Sequence, residues 1–600
     1  MCGLAGVVEL DRPAETRTVE QWLDDLAHRG PDGRGVFAAD GVCLGHLRLA
    51  ILDLSEAGLQ PMPSGELQLL HNGEIYNYLE LRDELRGYGH EFRTGTDSEV
   101  ILAAYRQWGE RCVEHFNGMW AFVIWDERHR RLFCSRDRFG VKPFYYRLDG
   151  GRLAFASEPW PLRGRDANLG AIRDYLEQGY LDQGEETFFA GVLRLPPAHS
   201  LTFDEHGLRL RRYWALEPGD PPADPVAGVR ETFLDAVRLQ LRSDVPVGTC
   251  LSGGVDSSAI AVAVAYHGHE HQKTVTAFFD DTGFDERPYA RAVVDRISAD
   301  ARWVTFGAEE LVDDLPQIVE AQGEPFGSTS ICAGWYVMRE ARRTGLTVML
   351  DGQGGDEILA GYRAFFGYRL ADLLHSGRLA EASVELRAFA AVNGPRWAAV
   401  ALASPHVSER FRLAARSRLR GATGLVSSDL PRRFQTTQNG TPFHDRLRRE
   451  LQVVLSCRGL PELLRYEDRN SMAHSLEARV PFLDHRLVEL VFSLAGDDLI
   501  RRGETKSVLR RALADLLPPE VLRRRDKLGF VTPEARFLRG RLGELAADVF
   551  ASRSFRERGF VHPSAAQKRL DRHRRGRLTA GMELWRALNL ELWAQRFLDA

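Results

Sequence analysis

Past residue 225 the hydrophobic pattern alternates between helix and strand. Val229 to Leu241 is spaced as a helix, and the short apolar run Val245 to Leu251 reads as a buried parallel strand. Ala259 to Ala265 then reads as the opening turns of a packed helix. A strand over Thr274 to Phe279, helices over Pro288 to Ile297 and Leu311 to Ala321, and a strand over Thr347 to Leu350 continue the series. Such alternation predicts a doubly wound parallel sheet that receives its ligand at the carboxyl ends of the strands. Phe365 to Glu450 predicts only an arginine-rich helical stretch, and the tail after Ser552 is uninformative. Glu217 to Pro225, rich in proline and acidic residues, reads as a stiff linker.

Two glycine-rich loops end predicted strands. The first is Ser252-Gly253-Gly254-Val255-Asp256-Ser257-Ser258, and the second runs from Asp351 through Gly352, Gln353, Gly354 and Gly355 to Asp356 and Glu357. In the first loop the glycines allow close backbone approach and the serine hydroxyls can donate to anionic oxygens. The helix behind it adds unpaired N–H groups, so the loop suits a phosphate chain. Asp256 is a poor phosphate neighbour unless a divalent cation lies between them, which implies magnesium held by Asp256 and Asp356. A Walker loop requires a Gly-Lys step. None of the five lysines, at positions 142, 273, 506, 527 and 568, follows a glycine.

Composition narrows the setting. The 600 residues fit two to four domains, and 44% hydrophobic with 27% charged residues suits a soluble globular protein. A net charge of -5 gives no reason to expect a nucleic acid or an anionic membrane as partner. No apolar run approaches the roughly 18 residues of a membrane helix, and no signal peptide is expected at the start. Seven cysteines without a CxxC pair suit reduced thiols and a cytoplasmic location.

At the amino end, Cys2 would become the first residue if Met1 is removed, and its α-amine could then serve as base for its own thiol. Further along come His28 to Asp32, Arg48 in Gly45 to Ile51, Asn72-Gly73-Glu74, and Gly95-Thr96-Asp97 opening a helical pattern. With Cys2, these segments resemble the class II glutamine amidotransferase domain, an N-terminal-nucleophile hydrolase. The resemblance implies Cys2 as nucleophile, with the Asn72 side chain and Gly73 N–H as oxyanion donors. It implies Arg48 for the glutamine carboxylate, with Glu74 and Asp97 for its ammonium; a forked guanidinium suits a carboxylate. Cys43, Cys112 and Cys134 match no such motif and are read as packing residues.

The Ser252–Ser258 loop resembles the pyrophosphate loop of the N-type ATP pyrophosphatases, which leave an adenylylated substrate. Glu324 to Ser330, Gly352 to Glu357, Arg465 to Ser475, Glu477 to Asp484, Gly503 to Lys506 and Arg525 to Phe530 together resemble glutamine-dependent asparagine synthetases. This resemblance covers nearly the whole chain from Cys2 to about Leu538. It implies Lys506 as the cation on the α-phosphate, with Lys527 as a second phosphate-side cation or a structural ion pair. The implied ATP-binding set is Leu251, Ser252, Gly253, Gly254, Asp256, Ser257, Ser258, Ala277, Asp351 and Gly352. One residue departs from the family pattern. Gln353 stands where those enzymes carry glutamate, and glutamine cannot act as a base, so the acceptor carboxylate stays open between aspartate and another acid.

The expected fold is α/β. An N-terminal α/β/β/α sandwich of the Ntn-hydrolase type (2–214) joins through linker 215–225 to a doubly wound parallel-sheet ATP pyrophosphatase domain with extra helices (226–600). The expected chemistry is amide formation from glutamine, ATP and a carboxylate through an acyl-adenylate, with Mg2+ as cofactor and ammonia passed internally. The expected partners are small molecules, with a homodimer allowed. Intramolecular ring closure and phosphoribosyl- or sugar-phosphate amidotransfer fit the motifs less well. A silent glutamine or nucleotide sensor fits poorly too, given the retained nucleophile, aspartates and Lys506.

Overall fold

The computed structural model describes residues 2–13, 15–269, 271–280, 285–403, 424–431, 440–525 and 532–599. The first part of the chain forms strands β1 (Gly3–Glu9), β2 (Gly33–Ala39), β3 (Val42–Arg48), β4 (Met62–Ser64), β5 (Leu67–Ile75) and β6 (Gly118–Asp126). Strands β7 (Arg131–Arg136), β8 (Tyr145–Asp149), β9 (Arg152–Ala156), β10 (Leu193–Arg194), β11 (His199–Asp204) and β12 (Gly207–Arg212) follow. They build two six-stranded antiparallel sheets, in the orders β10-β8-β9-β1-β3-β2 and β12-β11-β7-β6-β5-β4. Alternate side chains such as Leu4, Val8, Leu44, Leu70, Val123 and Phe155 meet between the sheets as one core. Helix α1 (Thr16–Asp25) covers the outer face of the first sheet through Val19 and Leu23. Helices α2 (Tyr78–Gly87) and α3 (Ser98–Trp108) cover the second through Leu85 and Ile101. Helix α4 (Leu169–Gln178) follows, packed against the carboxyl-terminal helix of the chain. The layers are those of an α/β/β/α sandwich.

No regular element lies between β12 and α5 (Pro225–Gln240), whose amino end is capped by Asp224 accepting from the Val226 and Ala227 N–H groups. A five-stranded sheet follows, ordered β15 (Asp300–Val304), β14 (Lys273–Ala277), β13 (Val247–Cys250), β16 (Val348–Leu350), β17 (Glu477–Arg479), with every pairing parallel. The winding reverses between β13 and β16. The loops leaving those two strands therefore open side by side at a topological switch point, where such sheets bind ligands. Helices α6 (Val255–Tyr266), α7 (Arg287–Ile297), α8 (Ala308–Gln322) and α9 (Ser330–Arg343) flank the sheet.

Two strands and one helix of this sheet are absent from the sequence reading. β15 is a half-exposed edge strand with polar residues, β17 is only Glu-Ala-Arg, and α9 carries no distinct motif. The tail also departs from its reading as uninformative. Its last helix, Gly581–Phe597, buries Trp585 and Trp593. Trp593 packs on Phe188 at 5.7 Å and donates to the Gly323 carbonyl at 3.0 Å, which ties the sandwich to α8. That helix is buried nearly all round, so it has no polar face to reveal a helical period. Among the described residues no helix is long and apolar enough to cross a membrane.

Candidate active sites

The first site forms where β1 begins, beside β5. The backbone nitrogen of Cys2 donates to Asn72 Oδ1 at 2.8 Å, and its carbonyl accepts from Arg29 Nε at 3.1 Å. Cys2 is 7% exposed, and burial raises its thiol above the ordinary range against the opposing charge of the amino terminus and the Leu49 N–H. With its oxygen turned to Cys2, the amide Nδ2 of Asn72 is buried with no partner among the described residues. A donor left in that state beside a nucleophile is suited to a developing oxyanion. Gly73 follows it on β5, opposite Trp120.

Three carboxyl groups crowd the same pocket. Asp97, at the start of α3, accepts from the Ile75 N–H at 2.7 Å, and burial lifts it to about 6. Glu74 is held well above the carboxylate range by burial, then by Asp97 and Glu477. Its Oε1 lies 3.7 Å from Arg479 Nη2. Glu477 is instead held down to about 2: burial opposes this, but the positive charge of the amino terminus, then the Arg479 and Lys142 cations, outweigh it. A cluster of buried carboxyl oxygens of this kind can accept hydrogen bonds from an ammonium group. Arg48, expected to grip a carboxylate, sits at the end of β3. Its guanidinium donates to the carbonyls of Ser55 at 2.6 Å, Leu52 at 3.4 Å and also Asp53. Those carbonyls fix the fork. Cys43, Cys112 and Cys134 lie in three different cores, as packing residues do.

The second site is a cavity of about 350 Å³ at the switch point. Of the residues expected to bind ATP or metal, Leu251, Ser252, Gly254, Asp256, Ser257, Ala277, Asp351, Gly352 and Asp356 line it. Inside the loop the Ser252 and Ser257 hydroxyls lie 3.0 Å apart, and Ser252 Oγ accepts from the Gly254 N–H at 3.3 Å. Gly253 has φ +78 and its α-carbon abuts Tyr289 and Ala290, so a side chain there would collide 2.6 Å from the Ala290 nitrogen. Gly253 is thus required by the turn while standing outside the cavity lining. Ser258 departs from its expected role as a phosphate donor. It is fully buried on the inner side of α6, and its hydroxyl has no partner among the described residues.

Lys506 joins the two loops. Its Nζ lies 2.5 Å from Asp356 Oδ1 and also bonds Asp256 Oδ2. Burial works against its charge, but the two carboxylates outweigh burial and raise its pKa. A Cβ on Gly361 would stand 1.8 Å from Asp356 Oδ1 and 2.4 Å from Lys506 Cε, which shows how tightly the cluster is enclosed. Among the described residues no group of three or more His, Cys, Asp or Glu side chains could hold a metal. Lys527 lies outside the described residues.

The sequence reading gave no role to the contacts between the sites. The helix Leu460–Met472 runs along the boundary. From it Asp468 accepts from Arg29 Nη1 and Nη2, both at 2.9 Å, and Arg469 Nη1 reaches Glu158 Oε1 at 2.7 Å. Arg29 also donates to Glu158 at 2.6 Å. The same Arg29 holds the Cys2 carbonyl, so one guanidinium touches both halves of the molecule. Arg479 of β17 likewise reaches from the parallel sheet to Glu74. Arg29, Asp468 and Arg469 stand inside motifs, but charged residues inside motifs do not announce which distant partner they meet.

Comparisons with known proteins agree with this geometry. Residues 1–214 match the glutamine amidotransferase domain family and residues 228–595 match the asparagine synthase family. The chain is 34% identical to asparagine synthetase [glutamine-hydrolyzing] 3 of Bacillus subtilis, over 88% of this chain and 86% of that one. It is 29% identical to asparagine synthetase [glutamine-hydrolyzing] 1 of the same organism, over 99% and 96%. It is also 28% identical to amidase chry2 of Gibberella zeae, over 95% of each chain. With a glutaminase-type pocket at Cys2 and a nucleotide-type cavity at the switch point, the chain belongs to the asparagine synthase family and is an enzyme of the glutamine-hydrolysing type.

Proposed function

We propose that this enzyme converts ATP, L-aspartate and L-glutamine to AMP, diphosphate, L-asparagine and L-glutamate. The observation that carries the reading is the Lys506 ammonium bridging Asp256 and Asp356 at the mouth of the Ser252–Ser258 loop. Cys2, freed of Met1, attacks the glutamine carboxamide, while Asn72 Nδ2 and the Gly73 N–H receive the oxyanion. Arg48 orients the glutamine carboxylate, and Glu74 with Asp97 the ammonium. In the switch-point cavity the loop binds the phosphates, and Lys506 offsets charge on the α-phosphate as the aspartate β-carboxylate attacks it.

The space between Asp256 and Asp356 accommodates a cation, here the Lys506 ammonium, and these two carboxylates are the residues that would hold Mg2+. Bound there, Mg2+ would neutralise the departing diphosphate. Ammonia is mostly protonated in free solution, so its internal passage between the sites keeps it reactive. Residues 2–214 act as the glutaminase, 215–225 as the linker and 226–600 as the ligase, in a reducing cytoplasm.

A second reading changes only the acceptor. Gln353 in the cavity wall and the similarity to a protein named an amidase favour a different carboxylate. The test is glutamine-dependent turnover with ATP, Mg2+ and aspartate, following glutamate, AMP, diphosphate and asparagine. Equal yields of the four are expected. No diphosphate with aspartate, but release with another acid, would replace the first reading by the second.

A further inference from the structure

Attack by ammonia on an acyl-adenylate leaves a positively charged nitrogen that must lose a proton before the amide is stable. Gln353 cannot accept it. Five carboxyl groups line the described cavity: Asp256, Glu286, Asp351, Asp356 and Glu467. Asp256 and Asp356 hold Lys506, and Glu286 pairs with Arg524. Asp351 accepts from the Gln353 N–H at 3.2 Å. Glu467 differs from all of these. It meets the Gln353 side chain and the Asp351 carboxyl, and its Oε1 is buried with no hydrogen-bond partner among the described residues.

Its place in the fold matters as much as its chemistry. Glu467 lies on the helix Leu460–Met472, one peptide unit from Asp468. Asp468 is clamped by Arg29, and Arg29 holds the Cys2 carbonyl. Glu467 therefore marks the side of the ligase cavity joined to the glutaminase nucleophile. Burial, and then Asp351, hold its carboxyl well above the usual range, which gives it more proton affinity than an exposed carboxylate.

We infer that Glu467 is the proton acceptor for ammonia attack on the acyl-adenylate, filling the role that Gln353 lacks. The inference rests on the adenylate chemistry proposed above. In the step, the ammonia nitrogen forms the C–N bond and the acyl C–O bond to the phosphate breaks. AMP leaves with that electron pair, and one N–H proton passes to the Glu467 carboxylate. Atoms and charge balance without a further reagent.

Glu467→Gln keeps the shape and removes the proton acceptor. With aspartate and ammonium chloride, which bypass Cys2, amide formation should fall by about 10²-fold or more. Aspartate-dependent ATP–pyrophosphate exchange should stay near the wild-type rate, which also shows that the variant is folded. Hydroxylamine, whose adduct sheds its proton more readily, should recover most of the lost rate, and adding Gln353→Glu to Glu467→Gln should recover about tenfold. The inference is overturned if Glu467→Gln forms amide at the wild-type rate, or if exchange falls in proportion to amide formation. Wild-type enzyme without exchange on aspartate would instead overturn the proposed function, and this inference with it.

Discussion

The pocket at Cys2 and the cavity at the switch point solve opposite problems. The first is built mainly from neighbouring strands of a sandwich, with Asn72, Gly73 and Glu74 consecutive on β5, and its groups are already set toward one another. The second gathers Asp256, Asp356, Lys506 and Glu467 from four separate places in the chain. An N-terminal nucleophile needs a few groups held rigidly around one small substrate. A ligase cavity must hold ATP, a cation, an acceptor and incoming ammonia, so its parts come from loops and helices that meet only in the folded chain.

The largest test of that division is Cys2→Ala. Glutamine-driven amide formation should fall by about 10⁴-fold or more, while ammonia-driven formation stays close to the wild-type rate. Parallel assays with the two nitrogen donors read this directly, and loss of both activities would mean the sites are not separable. Lys506→Arg probes the opposite side. The enclosure around Lys506 Cε leaves no room for a guanidinium fork, so pyrophosphate exchange should drop by about 10²–10³-fold. Glutaminase activity, measured as glutamate release, should persist.

The smallest effect concerns pH. Asp97 sits at about 6 because burial favours its neutral form. As pH falls through 6 it gains a proton and ceases to attract an ammonium group. The glutamine KM should therefore rise about tenfold between pH 7 and pH 5, and Asp97→Asn should raise KM at pH 7 and flatten that rise. The same shift runs the other way for stability: the folded state binds this proton more tightly, so Asp97 costs stability as pH rises from about 4 to 6. A KM that stays level in the wild type would remove Asp97 from the glutamine pocket.

The two sites were not equally legible in the sequence. Cys2, Asn72 and Glu74 are readable because their neighbours in sequence are also their neighbours in space. The Ser252–Ser258 loop is readable because a strand, a glycine turn and a helix follow in order. Ser258 escaped because it is the next residue round α6 from Ser257, about 100° away, and local sequence does not say which of the two faces the cavity. Arg29, Asp468 and Glu467 escaped for another reason. Their meaning depends on partners up to 439 positions away, and a motif that marks the helix carrying two of them does not say which side chains it will meet.

The Arg29–Asp468–Glu158–Arg469 cluster has a consequence for how such enzymes can be recombined. A glutaminase half transplanted from a relative lacking Arg29 or Glu158 would strand a charge in a buried seam, at a cost of about 3–5 kcal/mol. Exchange of the halves between lineages is therefore limited less by the chemistry of either site than by matching these four side chains together.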